Sequence, residues 1–229
     1  MPALNEAYQD TLNRIQEACH RAHRPHGEVQ LLAVSKTKPI EAIIELAQLG
    51  QRAFGENYVS EGAEKTQALE DLDLEWRFIG PIQSNKTRII AEHFDWVHSV
   101  DREKIARRLN EQRPTHSKPL NVLIQVNLDQ ETQKAGCLPQ DIEALAQVIE
   151  ASPHLTLRGL MAIPAPREDH NEQLAIFQTL ASHYHVLQQN HPSVDTLSAG
   201  MSNDLEAAIE AGANLVRIGT ALFGARHVS

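Results

Sequence analysis

Eight short runs rich in β-branched and aromatic residues alternate along this chain with stretches whose apolar residues recur near every 3.6 positions. Few folds accommodate that order. The β-rich runs are Val29–Val34, Arg52–Phe54, Trp76–Ile79, Trp96–Val100, Leu120–Leu128, Leu155–Met161, Thr196–Ser198 and Leu215–Ile218. Helical spacing marks Ile40–Leu49, Ser60–Leu69, Asp101–Glu111, Pro139–Glu150, Glu168–Gln189 and Asn203–Ala211, with Pro39 and Pro139 where a first turn tolerates proline and Gly50 and Gly212 where helices stop. A strand followed by a helix, about eight times over, requires parallel strands joined by right-handed crossovers. Either an open doubly wound sheet or a closed barrel satisfies that. Eight units within 229 residues come close to the roughly 250 typical of a barrel. The expectation is therefore the α/β class, a single (β/α)8 TIM barrel over residues 1–229, with the open sheet as the alternative. Leu4–Arg24 reads as an extra amphipathic helix ahead of the first strand, a candidate to close the barrel bottom.

Composition narrows the function classes. With 21 Lys+Arg against 30 Asp+Glu the chain carries a formal charge of −9, so it lacks the positive field that binding a nucleic-acid backbone needs. No apolar run approaches the roughly 20 residues of a membrane span, and the polar start Met1–Glu6 does not read as a signal peptide. Cys19 and Cys137 are too few for a disulfide framework, so a reducing cytoplasm is the expected location.

In a barrel the active face lies at the carboxyl ends of the strands. Lys36 follows the first strand, and alternation places it on the face of Leu32 and Val34. If those two point inward, so does the lysine. An amine above an apolar interior loses solvation, which lowers its pKa and suits it to form an imine with an aldehyde; the plain alternative is a lysine that reaches out to solvent. After strands seven and eight come Ser198-Ala199-Gly200-Met201-Ser202 and Gly219-Thr220. These are glycine–hydroxyl turns entering helices, where backbone N–H groups favour an anion such as phosphate; ordinary capping by Ser202 and Thr220 is the other account. Arg217 shares a face with Leu215 and Gly219, so it too points inward. A buried guanidinium needs a partner, and a structural acid, a ring nitrogen or an anionic ligand group would each serve. Amine, phosphate cradle and arginine together describe a pyridoxal phosphate (PLP) site. Twelve histidines invite a metal reading, but Cys19, His20, His23 and His26 fall at a helix end and His183 and His185 point to different sides of a helix. No metal is expected.

The segments that carry these groups are Ala33-Val34-Ser35-Lys36-Thr37-Lys38, Phe54-Gly55-Glu56-Asn57-Tyr58, Phe78-Ile79-Gly80-Pro81-Ile82-Gln83-Ser84-Asn85-Lys86, Gly159-Leu160-Met161, Ser198–Ser202 and Val216–Gly224. In this order they resemble the YggS/PROSC family of pyridoxal phosphate homeostasis proteins over nearly the whole chain. The resemblance implies a fold-type III barrel like the N-terminal domain of alanine racemase, with PLP held on Lys36 and Arg217 facing its ring nitrogen. Ser198, Gly200, Met201, Ser202, Gly219 and Thr220 would surround the phosphate, with Asn57 nearby. Pro81, Ala199 and Asn203 depart from residues common in the family, and Glu131-x-x-Lys134-x-Gly136 fits a family pattern whose role is not readable from sequence.

Three functions follow as expectations. The first is a PLP-binding protein that holds, buffers or delivers the cofactor, with apo PLP-dependent enzymes as recipients. The second is an amino-acid racemase using Lys36 and Tyr58. The third, a class I aldolase, would use the same lysine on a phosphosugar. The second base of a racemase of this type comes, by the family comparison, from a separate β-domain. None follows the barrel before Ser229, which favours the non-catalytic reading and a monomer.

Overall fold

The computed structural model describes residues 3–224, so the ends of the expected 1–229 unit lie outside the described residues. Eight parallel strands close into a barrel in chain order: β1 (Gln30–Val34), β2 (Ala53–Glu56), β3 (Glu75–Phe78), β4 (Trp96–Val100), β5 (Leu120–Gln125), β6 (Leu155–Met161), β7 (Thr196–Ser198) and β8 (Leu215–Ile218). The closing pair is β8 with β1, in register Leu32 to Arg217 and Ala33 to Ile218. The open-sheet alternative is thereby excluded.

Helices α2 (Ile40–Gln48), α3 (Val59–Ala68), α4 (Thr87–His93), α5 (Glu103–Gln112), α6 (Ile142–Glu150), α7 (His170–Asn190) and α8 (Leu205–Ala211) form the outer layer, and a single turn, α9 (Thr220–Phe223), follows β8. Because α9 is so short, the wall beside the β8–β1 seam needs another helix. The N-terminal α1 (Leu4–Arg21) supplies it by packing against α2, α8 and α9. It is thus a wall helix and does not close the barrel bottom. Arg24 pins its end by donating to the Ile209 and Ala213 carbonyls. Tyr8 donates to Gln51, whose amide donates in turn to Leu31 and Ala53.

Alternation sorts the strand side chains into two layers. Leu31, Ala33, Phe54, Trp76, Phe78, Val216 and Ile218 join the large apolar layer beneath the helices. The inward residues form two smaller apolar clusters. One is Leu32, Val34, Ala53, Ile79 and Leu215; the other is Trp96, Leu123 and Met161. Apolar packing inside the barrel is interrupted, and buried polar side chains take up the interior positions between. Gly159, at φ +150°, brings β6 so close to β7 that an added Cβ would lie 1.8 Å from the Thr196 carbonyl oxygen.

Candidate functional site

The inward parity of Leu32 and Val34 carries to Lys36, which lies half-buried in the turn just beyond β1. The same parity on β2 runs through Ala53 and Gly55 to Asn57. A Cβ on Gly55 would press on Leu32 and Ile79 inside the barrel, so the interior is tightly filled below the mouth. Asn57 is half-buried at that mouth, and its Oδ1 is a buried oxygen with no hydrogen-bond partner among the described residues. A buried polar atom without a partner is costly in a folded chain, so this one points to a ligand group or an ordered water at the mouth.

Arg217 is the centre of the interior. It is buried level with Leu32, donates to Ser198 Oγ at 2.6 Å and to the Ala162 carbonyl at 3.0 Å, and forms no ion pair with a carboxylate among the described residues. Burial pulls its pKa down to about 10, and Asp204 offsets part of that through space. A charged group so placed, facing neutral partners only, leaves room for an acceptor from outside the chain.

Below Arg217 runs a file of polar groups that sequence reasoning missed. Ser198 Oγ lies 3.1 Å from Nδ1 of His98, and His98 Nε2 faces Arg77 at 3.5 Å. Burial, then Arg77 and Arg217, drive the His98 pKa well below its ordinary value, so the ring is neutral. Arginine can only donate, so Nε2 accepts from Arg77 and the neutral ring carries its hydrogen on Nδ1, which donates to Ser198 Oγ; that oxygen also accepts from Arg217. At the foot, Arg77 is stacked 3.9 Å over the Trp96 ring and bonded to Gln30 and Glu75. The signal was present: His98 has the inward parity of Trp96, but it was one histidine among twelve.

The two glycine–hydroxyl turns meet. Ser202 Oγ accepts from the Ala221 N–H at 3.3 Å, tying the loop after β7 to the first turn of α9. Gly219 lies against Val34, where a Cβ would sit 3.4 Å from that residue's Cβ, so the second turn adjoins the strand that bears Lys36. Gly200, at φ +99°, lets the first turn press on Ala208 and Val216, and its carbonyl accepts from the Arg217 N–H. Thr220 is exposed at the rim and Ser202 half-buried. Two expected phosphate neighbours are otherwise engaged. The Ser198 hydroxyl oxygen is taken up by Arg217 and His98. The Met201 N–H donates to Asp204 at 2.7 Å, leaving the Met201 side chain exposed.

Beneath the Lys36 turn lies a second buried polar group unforeseen in the sequence. Lys65, on α3, donates to the Ser35 carbonyl (2.7 Å), Glu56 (2.8 Å) and Glu61 (2.6 Å). Across the mouth, Asn127 donates to the Glu131 carbonyl and Lys134 pairs with Glu131, which fixes the base of the loop after β5. Among the described residues no group of three or more His, Cys, Asp or Glu could hold a metal ion, and no helix is long and apolar enough to cross a membrane.

The sequence profile described as "Alanine racemase, N-terminal domain" matches residues 9–227. The chain belongs to this family. Within the alanine racemase N-terminal domain family it is similar to the pyridoxal phosphate homeostasis protein of Vibrio cholerae serotype O1, with 54% identity over 233 aligned residues that cover all of this chain and 99% of that one. The protein of the same name from Escherichia coli K12 is 51% identical and covers 95% of this chain and 94% of its own. A solved structure of PipY from Synechococcus elongatus with PLP bound matches with TM-score 0.80 and 39% identity, over 92% of this chain and all of that one. Alanine racemase from Corynebacterium glutamicum shares the fold at TM-score 0.65 and 17% identity, over 95% of this chain and 62% of that chain.

Proposed function

We propose that this protein binds PLP and holds, buffers or delivers it, with the cofactor joined to Lys36 as an imine. The observation that carries the reading is Arg217, a buried cation without an acid partner among the described residues. It lies on the same inward face as Lys36 and below two joined turns suited to an anion. A pyridine nitrogen accepting from Arg217, a phosphate at Ser202, Gly200, Gly219 and Thr220, and an aldehyde at Lys36 would use all three at once. Asn57 Oδ1 would find its donor in the same ligand. The kinship with proteins named for PLP homeostasis, and the PLP-bound PipY structure, support the same cofactor.

The cofactor's aldehyde supplies the electrophile; the chain supplies the grip. Lys36 would hold the cofactor through its amine nitrogen, the cofactor's aldehyde being the group that bonds to it with loss of water. Arg217 fixes the ring edge, and the two turns fix the opposite end. We place the protein in the cytoplasm as a monomer that passes PLP to apo PLP-dependent enzymes. The buried, unpaired Cys19 and Cys137 suit a reducing compartment.

A visible spectrum of purified protein with PLP tests the reading. A yellow band bleached by borohydride, with the reduced adduct mapped to Lys36, is the expected result. Lys36→Ala should lose the band and keep weak binding through the phosphate turns. A band that survives in Lys36→Ala would overturn the site assignment, and a protein that stays colourless with PLP would favour the aldolase reading instead.

A further inference from the structure

Both neighbours of Lys36 are held by one buried ionic group on α3 and β2. Ser35 donates its hydroxyl to Glu56 at 2.6 Å, and its carbonyl accepts from Lys65. The Thr37 N–H donates to Glu61 Oε1 at 2.7 Å. Lys65 joins the two carboxylates, at 2.8 Å to Glu56 and 2.6 Å to Glu61. The Lys65 and Glu56 side chains are 6% and 0% exposed, and Glu56 Oε2 has no hydrogen-bond partner among the described residues. Ion pairs this deep give little net stability, since desolvation cancels most of the attraction. What they do supply is fixed geometry.

The turn needs such a device. Thr37 adopts φ +62°, a left-handed conformation that β-branched residues rarely take and that strains the backbone. The Glu61 bond to its N–H offsets that strain. Without it, Thr37 can relax to negative φ, which swings the Lys36–Thr37 peptide and re-aims the Lys36 side chain. The outward face of Ser35 and the strained turn of Thr37 are thus locked to α3, while the residue between them faces the barrel mouth.

We propose that Lys65, Glu56 and Glu61 form a clamp that positions Lys36 for bonding to its aldehyde ligand, with Glu61 acting through the Thr37 N–H. The clamp rests on the proposed PLP reading. Its members are positioning residues.

Because Lys65→Met strands the buried Glu56 carboxylate and threatens folding, the test uses Glu61, whose side chain is 29% exposed. The full chain is compared as wild type, Glu61→Ala and Glu61→Gln. Stopped-flow absorbance follows imine formation with PLP, and titration measures the affinity of pyridoxine 5′-phosphate, which has the same ring and phosphate but no aldehyde. Glu61→Ala should slow imine formation by roughly ten- to a hundred-fold, the scale of a misplaced reacting group. Its pyridoxine 5′-phosphate affinity should stay within about two-fold of wild type, and Glu61→Gln, which keeps an acceptor for Thr37, should recover most of the rate. An unchanged rate in Glu61→Ala overturns the clamp, and so does a parallel loss of both rate and affinity, or a failure of Glu61→Gln to rescue. Absence of any imine band in wild-type protein refutes the PLP reading itself, a result separate from all three.

Discussion

Replacing Arg217 by methionine should make the ligand-free protein more stable and the PLP complex weaker. Removing a fully buried long side chain ordinarily destabilises, so the sign is the test. Burial, only partly offset by Asp204, pulls the Arg217 pKa well below the ordinary guanidinium range, to about 10. That drop corresponds to about 3 kcal/mol of folding free energy lost by keeping the guanidinium charged inside the barrel. A base with a depressed folded-state pKa exerts its full cost below that pKa, where both states are protonated, and sheds it only above about pH 10. The whole cost is therefore present at neutral pH. Against it stand the Ala162 carbonyl, which loses its Arg217 donor at about 1–2 kcal/mol, and Ser198, which keeps His98 as a partner. A net gain of about 1–2 kcal/mol remains, or roughly 2–8 °C in Tm for a chain of this size. Differential scanning calorimetry at pH 7.5 without PLP reads it directly, and titration with pyridoxine 5′-phosphate should show at least a ten-fold loss of affinity, on the scale of one hydrogen bond from a charged donor. A variant that melts several degrees below wild type, with affinity unchanged, would show that Arg217 is a structural residue.

Two substitutions probe the scaffold and its internal histidine. Gly159→Ala places a Cβ 1.8 Å from the Thr196 oxygen at φ +150° and should destabilise by at least about 3 kcal/mol. Gly212→Ala, also at positive φ but with nothing within 4 Å of the added carbon, should cost only about 1 kcal/mol; comparable denaturation midpoints for the two would contradict the close-approach argument. His98→Gln should flatten the acid side of the stability profile. His98 stays neutral in the fold, so once the unfolded chain takes up its proton below pH 6.5, wild type loses about 1.4 kcal/mol by pH 5.5. For His191, burial opposes the charge, yet bonding to Glu150 and Glu143 raises its pKa, so it gains stability over the same range in both proteins. The difference in Tm between pH 7 and 5.5 isolates His98, and parallel curves for wild type and variant would rule the reasoning out.

The strand and rim positions were legible because period-two alternation survives in a closed barrel. Once Leu32 and Val34 face inward, the placing of Lys36, Asn57 and Arg217 follows from counting. Boundaries were less legible where the apolar pattern outlives the pairing. Leu120–Leu128 reads as one run, but β5 ends at Gln125 and Val126 bridges to Cys137 instead. Helix α4 carries no sequence signal of its own, since Thr87–His93 is seven residues entered through a turn of 3-10 helix at Ser84–Lys86. The buried ionic group was invisible for a different reason. Glu61 and Lys65 are an i,i+4 pair, which on sequence reads as a solvated helix face, and only tertiary packing turns that face onto the strained Thr37. Asp204 is similar: a residue that looks like a helix cap takes the Met201 N–H, so one of the expected phosphate contacts goes to the chain's own carboxylate.

The same interior argues for a carrier over a racemase. Arg217 is a fixed cation, and the histidine below it is kept neutral, so no acid in the file can donate a proton upward. A ring nitrogen held against that cation would stay unprotonated, which would make the ring a poorer acceptor of electron pairs. Fast racemisation would then need two well-placed bases. Lys36 is one. Of the tyrosines, Tyr8 and Tyr184 are buried on α1 and α7, while Tyr58 is exposed beside Asn57 at the start of α3. A side chain 46% open to solvent is neither desolvated nor fixed, and both are conditions for an effective general base. Steady-state assays with panels of L- and D-amino acids should therefore give rates near those of free PLP, and Tyr58→Phe should leave them unchanged. Turnover a thousand-fold above free PLP that collapses in Tyr58→Phe would make the protein an enzyme, and the exposed tyrosine its second base.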